Sequence, residues 1–373
     1  MSKAPSQKGP RLFHPLMGAN PATVLRVLKR NGGVPASRLP HAGLALLASL
    51  ARWPFSAYER YRVAGWRRQR GEMPAPVFIV GHWRSGTTHL YSLLARSRQF
   101  AYVPPLAVGL PWDFLTLGAA LRPLLERALP ADRFIDQVAV NPDSPQEDEI
   151  ALANMQALSF YHGLYFPRRF RENFEAGVFF DHCPPEAVER WQQAMRLFLE
   201  KVSLQQPGRR VLIKNPVYTA RVAMLRQMWP EARFIHIYRN PYVVYQSTRN
   251  FYRALFQELA LQPLDGADAD RLILESYPRM MNAVLEDTRA LPEGRFVELR
   301  FEDFEQRPLE EAERIYQTLG LPGFEDDRPA LEAYLSSTRG YRKNSYRFPR
   351  EDLEQVERHW GDFVRRWDYQ PPA

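Results

Sequence analysis

Two hydrophobic regimes meet near residue 72 of this 373-residue chain. Ahead of that point, Leu44, Leu46, Leu47, Leu50, Trp53 and Phe55 form a dense apolar stretch, and Arg60, Arg62, Arg67, Arg68 and Arg70 follow it. Beyond it, short runs of β-branched and aromatic residues alternate with longer segments of helical period. The short runs predict strands over Pro76–Val80, Arg210–Ile213, Arg233–Tyr238 and Phe296–Phe301. The longer segments predict helices over His89–Arg96, Val222–Met228 and Glu310–Leu319, and one beginning at Pro241, a residue suited to the first turn. Alternation of this kind builds βαβ units. The expected fold is α/β, a central parallel sheet with a P-loop-like strand-loop-helix, flanking helices and a large helical insertion over about 95–208. A single α/β domain over 73–373 accommodates it, preceded by a basic, partly apolar, partly helical segment over 1–72. The proline-rich stretch Met1–Pro40 is expected to be only partly ordered.

Composition narrows the class. At 45% hydrophobic and 25% charged residues the chain has ordinary globular content. Its single cysteine, Cys183, closes no internal disulfide and leaves no CxxC pair, which points to a reducing compartment, most simply the cytoplasm, and to no metal. The net charge of +8 is concentrated in front: the first 72 residues hold 13 Lys+Arg against 2 Asp+Glu, and the remainder 37 against 40. A nucleic-acid-coating protein spreads its cations over the main domain, so no nucleic-acid partner is expected. The longest apolar run, Ala42–Ala51, falls far short of the ~20 residues of a spanning helix, and no secretory h-region precedes it. Two readings of the front remain open: an interfacial helix at the inner membrane face, or a helix packed on the body with its arginines in water.

The sharpest chemistry lies in Gly81-His82-Trp83-Arg84-Ser85-Gly86-Thr87-Thr88, between the first predicted strand and its helix. Two glycines five apart let the backbone curl. The inward N–H groups and the positive helix end then form an anion cradle, to which the hydroxyls of Thr87 and Thr88 add donors. A nucleotide-hydrolase loop reads G-x-x-x-x-G-K-[ST], but Thr87 stands at the lysine position and the cation is Arg84. A ligand less charged than a triphosphate, held without Mg²⁺, fits better.

Arg84-Ser85-Gly86-Thr87-Thr88 after a hydrophobic strand resembles the 5′-phosphosulfate loop of the sulfotransferases, in the bacterial branch that carries arginine here. A second signature agrees: Arg239-Asn240-Pro241 follows the third predicted strand, and Ser247 lies eight residues on. The resemblance covers about 76–369. It implies a sulfotransferase that uses 3′-phosphoadenosine-5′-phosphosulfate (PAPS) and releases the bisphosphate PAP. It further implies that Arg84, Ser85, Gly86, Thr87 and Thr88 hold the 5′ end, that Arg239 and Ser247 hold the 3′-phosphate, and that Lys214 assists the leaving phosphate. The loop Arg339–Asn344, with Arg342 and Lys343, resembles the family's basic closing loop; a basic surface turn is the alternative.

The resemblance leaves the base open, because Pro216 stands where the aryl-type branch has a catalytic histidine. Among this chain's acids, Asp143–Glu149 reads as a helix start, with Ser144 and Glu147 at capping-box spacing. A carboxylate beside aromatic residues is raised toward a useful base, so Glu147 is the first choice and Asp148 the second. His82, His89, His162 and His182 read mainly as packed or surface residues. Tyr218 and Trp53 are candidate stackers. Phe160, Tyr161, Tyr165, Phe166, Phe170, Phe174, Phe179 and Phe180 are either core or the lining of an acceptor pocket. In the second case the acceptor is apolar, a small molecule or lipid bearing a hydroxyl, less readily an amine. Two rivals remain: a P-loop nucleotide kinase, and a membrane-surface adaptor with a vestigial loop.

Overall fold

The computed structural model describes residues 14–70, 73–128, 144–264, 268–338 and 346–372. Its centre is a five-stranded, wholly parallel sheet of β1 (Val77–Val80), β2 (Phe100–Ala101), β3 (Arg210–Lys214), β4 (Arg233–Tyr238) and β5 (Phe296–Arg300), in the order β2-β3-β1-β4-β5. All four residues of β1 are buried, as a central parallel strand requires. Val77 and Ile79 face Leu90, Leu94, Ile235 and Leu299 on one side, while Phe78 and Val80 face Ile213, Phe234, Trp191 and Phe198 on the other. The four predicted strands are all present. The fifth, β2, pairs only Phe100 with Arg210 and Ala101 with Val211, and two residues carry no readable period.

The connection leaving β1 runs past β3 to β2, and the one leaving β3 runs past β1 to β4, so these neighbouring strands send the chain in opposite directions. Open α/β sheets bind ligands at the carboxyl edge of such a switch point. Here that edge presents the Gly81–Gly86 loop, Lys214 and Arg239 side by side.

Among its described residues, the insertion between β1 and β3 is helical, with β2 as its one strand. Phe160, Tyr161, Tyr165, Phe166, Phe170 and Phe174 are all buried in one cluster with Trp83, Tyr252 and Tyr277. They are core rather than pocket lining, and only Phe179 and Phe180 stay half-buried at its margin.

From His14 onward the N-terminal segment packs more closely than its prolines suggest. Asn20 caps α1 (Pro21–Arg30) by accepting from Thr23 N at 2.7 Å, and Leu16 and Val27 share the core of Trp83. The long helix α2 (Leu39–Arg70) meets the body through polar side chains. Arg52 reaches Asp113 at 2.5 Å, Arg67 grips both oxygens of Glu200 through Nε and Nη2, and Glu59 pairs with Lys201 at 2.7 Å. Glu59 and Lys201 are both buried, and burial pushes the lysine down to about 8. Glu59→Ala strands a buried cation and is expected to lower stability by about 3 kcal/mol in urea denaturation.

Candidate active site

The loop after β1 is shaped by three backbone constraints. A Cβ on Gly81 would stand 2.3 Å from Ile237 O, and one on Gly86 would stand 2.1 Å from the Phe301 ring. Gly86 also has φ +92°, where side chains are strained. Arg84, not a glycine, is held at φ 70°, a costly conformation that recurs at ligand clamps. The curl delivers the chain into α3 (Thr87–Leu94), whose first amides have no partner within the helix. Gly86→Ala forces Phe301 out of place and is expected to cost about 2–4 kcal/mol, read as a lower melting temperature.

Two side-chain clusters flank this loop. In the first, Arg84 Nε donates to Ser247 Oγ at 2.8 Å, Arg239 Nη1 donates to Arg84 O at 3.3 Å, and Ser247 Oγ shares a 2.8 Å hydrogen bond with Tyr346 OH. Ser247 is carried there by the helix Pro241–Leu259, whose start is capped by Asn240. Burial holds Arg239 below the ordinary arginine range; Glu302 and Tyr346 pull it upward and the neighbouring Arg84 downward. Two guanidinium groups beside a hydroxyl fit an oxyanion. The side chain of Arg84 thus joins the Ser247 end of the loop.

In the second cluster, Lys214 Nζ donates to Thr88 Oγ1 at 3.1 Å and to Glu147 Oε1. Lys214 is 1% exposed and Glu147 26%, so the carboxylate is the member of this chain that a substrate can reach. Residues 67 positions apart in sequence are brought into one ion pair.

Asp148 takes a different part. It is fully buried; one oxygen accepts from Asn215 Nδ2 at 2.9 Å and the other from Tyr218 OH. Glu149 accepts from the same Asn215 amide at 2.9 Å and from Ser159 Oγ at 2.7 Å. With both oxygens engaged and no access, Asp148 cannot take an acceptor's proton; it positions Asn215, next to Lys214. The helix also begins later than expected, at Glu149, with no side-chain cap, so Ser144 and Glu147 form no capping box.

Burial pushes Asp148 up to about 7 from 3.8. Between those values the folded protein keeps a proton that the unfolded chain has lost, so this group's contribution to stability declines as pH rises through the window. Asp148→Asn removes that dependence. The variant's melting temperature should gain on the native protein's as pH rises from about 4 to about 7, the interval set by this shift.

The other candidates separate. Ser85 and Thr87 are buried in the loop itself. Arg342 and Lys343 lie outside the described residues. Tyr218, fully buried against Asp148, and Trp53, 57% exposed on α2, are not placed to stack on a ligand at the loop. His82 is buried against Tyr277 and held down to about 4 by burial, and His162 is likewise buried and lowered. His89 packs on Phe304.

Sequence reasoning missed Thr219, whose Oγ1 accepts from Gly81 N at 2.8 Å, and Asn215 and Tyr346. Asn215 was visible beside Lys214 in Lys-Asn-Pro; nothing marked Tyr346, 99 positions from Ser247. No group of side chains suited to a metal occurs among the described residues.

This chain is 33% identical over 294 residues to the omega-hydroxy-beta-dihydromenaquinone-9 sulfotransferase Stf3 of Mycobacterium bovis and to that of Mycobacterium tuberculosis, covering 79% of this chain and 75% of each relative. Its fold is similar to that of the crystal structure of sulfotransferase STF9 from Mycobacterium avium, at TM-score 0.68 and 16% identity, over 95% of this chain and 97% of that one. Sulfotransferase STF1 from Mycobacterium tuberculosis H37Rv follows at TM-score 0.58 and 15% identity, over 91% and 90%. Residues 76–326 match the Sulfotransferase family itself, and the chain, an enzyme that transfers sulfuryl groups, belongs to that family.

Proposed function

We propose that this sulfotransferase takes its sulfuryl group from PAPS, delivers it to a hydroxyl of a lipidic acceptor and releases PAP. The observation that carries the reading is the convergence of two clusters on one loop: Arg84, Arg239 and Ser247 at one end, Thr88, Lys214 and Glu147 at the other. Bound there, the donor supplies an activated sulfur–oxygen bond. Arg239 and Ser247 hold the 3′-phosphate, Arg84 braces Ser247 and adds charge, and the amides of Gly86 to Thr88 hold the 5′ end. Lys214 offsets charge on the oxygen released with the leaving phosphate, and Glu147 takes the acceptor's proton. Asp148 and Asn215 keep Lys214 aligned.

The lipidic acceptor is supported by the mycobacterial relatives, which are named for a hydroxylated menaquinone. Such an acceptor is met at a bilayer, so membrane contact by the basic N-terminal segment belongs to the same reading.

Ser247→Ala should weaken PAP binding about tenfold in calorimetry, the scale of one hydrogen bond to a charged group. For the acceptor, purified protein is incubated with sulfur-labelled PAPS and a cell extract divided into lipid and aqueous fractions. Label in the lipid fraction is expected; label confined to the aqueous fraction contradicts the lipid acceptor.

A further inference from the structure

Helix α2 is built inside out. Its buried face is polar or small: Ala45, Ser49, Arg52, Ser56, Glu59 and Val63, with Arg52 and Glu59 bonded into the body. Its opposite face, at the three-and-four spacing of one helical side, is Leu44, Leu47, Leu50, Pro54, Tyr58 and Tyr61. These large side chains are exposed, Leu47 to 66% and Tyr61 to 70%. A contiguous apolar stripe turned to the outside of a helix marks an interaction surface.

The sequence of that stripe says what covers it. Leucines occupy its first half, tyrosines follow, and exposed Arg60, Arg62 and Arg68 close it. The one acidic residue of α2, Glu59, is turned inward against Lys201. Apolar, then amphipathic aromatic, then cationic is the order met on passing from acyl chains through the interface to anionic headgroups. We propose that the outer face of α2 seats on an anionic lipid surface, the leucine half deeper than the arginine half.

The seat is tied to the chemistry. Arg52, on the buried face, donates to Asp113 and to the carbonyls of Met17 and Ala19. The turn Pro15–Gly18 packs on the helix Glu149–Met155, whose first side chain holds Asn215 beside Lys214. Docking α2 therefore fixes the body, and the flank bearing Glu147, at a set distance from the lipid. The inference deepens the lipid-acceptor reading, yet it is scored without turnover.

The test is sedimentation of the full chain with vesicles of phosphatidylcholine alone or mixed equally with phosphatidylglycerol. The native protein is expected on the mixed vesicles and in the supernatant with phosphatidylcholine alone. The double variant Leu47→Glu, Leu50→Glu should lose at least about tenfold in partitioning, and Arg62→Glu, Arg68→Glu a comparable amount that vanishes at high salt. All four positions are exposed, and unchanged PAP binding by calorimetry verifies folding. Equal binding of the leucine variant overturns the proposal, and so does a native protein left in the supernatant. A native dimer that the leucine variant splits, with no vesicle binding, assigns the face to a second copy instead. Labelling of detergent-dispersed lipid without vesicle binding removes this inference and leaves the proposed function standing.

Discussion

Lys214→Ala is expected to lower kcat by about a thousandfold while PAP affinity changes less than about tenfold. Lys214 closes β3 at the carboxyl edge of the sheet, 1% exposed, between Thr88 and Glu147. Charge accumulates on the bridging oxygen only as the sulfur–oxygen bond breaks, so an ammonium placed there stabilises the transition state more than the ground state. Its removal also deprives Glu147 of its partner. Single-turnover measurements with saturating donor separate the chemical step from binding; a kcat within threefold of native, roughly 0.7 kcal/mol, would remove Lys214 from the chemistry.

Arg84→Ala should lower kcat/KM by about a thousandfold, mostly through the donor's KM. The residue does two things at once. Its guanidinium bonds Ser247, and its carbonyl, presented by the positive φ, accepts from Arg239. Losing the side chain removes one of two converging cations and leaves Ser247 unbraced, together about 4 kcal/mol. Arg84→Lys retains the charge but not the planar fork, and should recover only part of the loss. Steady-state kinetics over a range of donor concentrations reads both variants, and full activity in Arg84→Ala is incompatible with the assigned site.

The parts of the fold legible in the sequence were those whose period is local. β1 is a continuous apolar run, β3 and β4 are short apolar-rich runs and β5 alternates, and the Gly81–Thr88 turn and the Arg239-to-Ser247 spacing are contained within single strand-to-helix units. What needed three dimensions stayed hidden. Glu147 and Asp148 are adjacent in sequence but face opposite fates, one half-open beside Lys214 and the other sealed behind Tyr218, because the chain is not yet helical at Glu147. The aromatics of the insertion could be core or lining until Trp83 and Tyr252 were seen packed among them. Composition suggested an amphipathic α2, but not that its polar side is the buried one; that depends on Asp113, Glu200 and Lys201, acids and a base supplied from far along the chain.

The central claim is that a single nucleotide, phosphorylated at both ends, spans the loop from Lys214 to Ser247. Calorimetry in EDTA with PAP, adenosine 5′-phosphate and ATP addresses it directly. PAP should bind at least about a hundredfold more tightly than adenosine 5′-phosphate, the worth of one well-held phosphate, and Arg239→Ala should erase most of that difference. Equal binding of the two, or a preference for ATP that appears only when Mg²⁺ is restored, contradicts it.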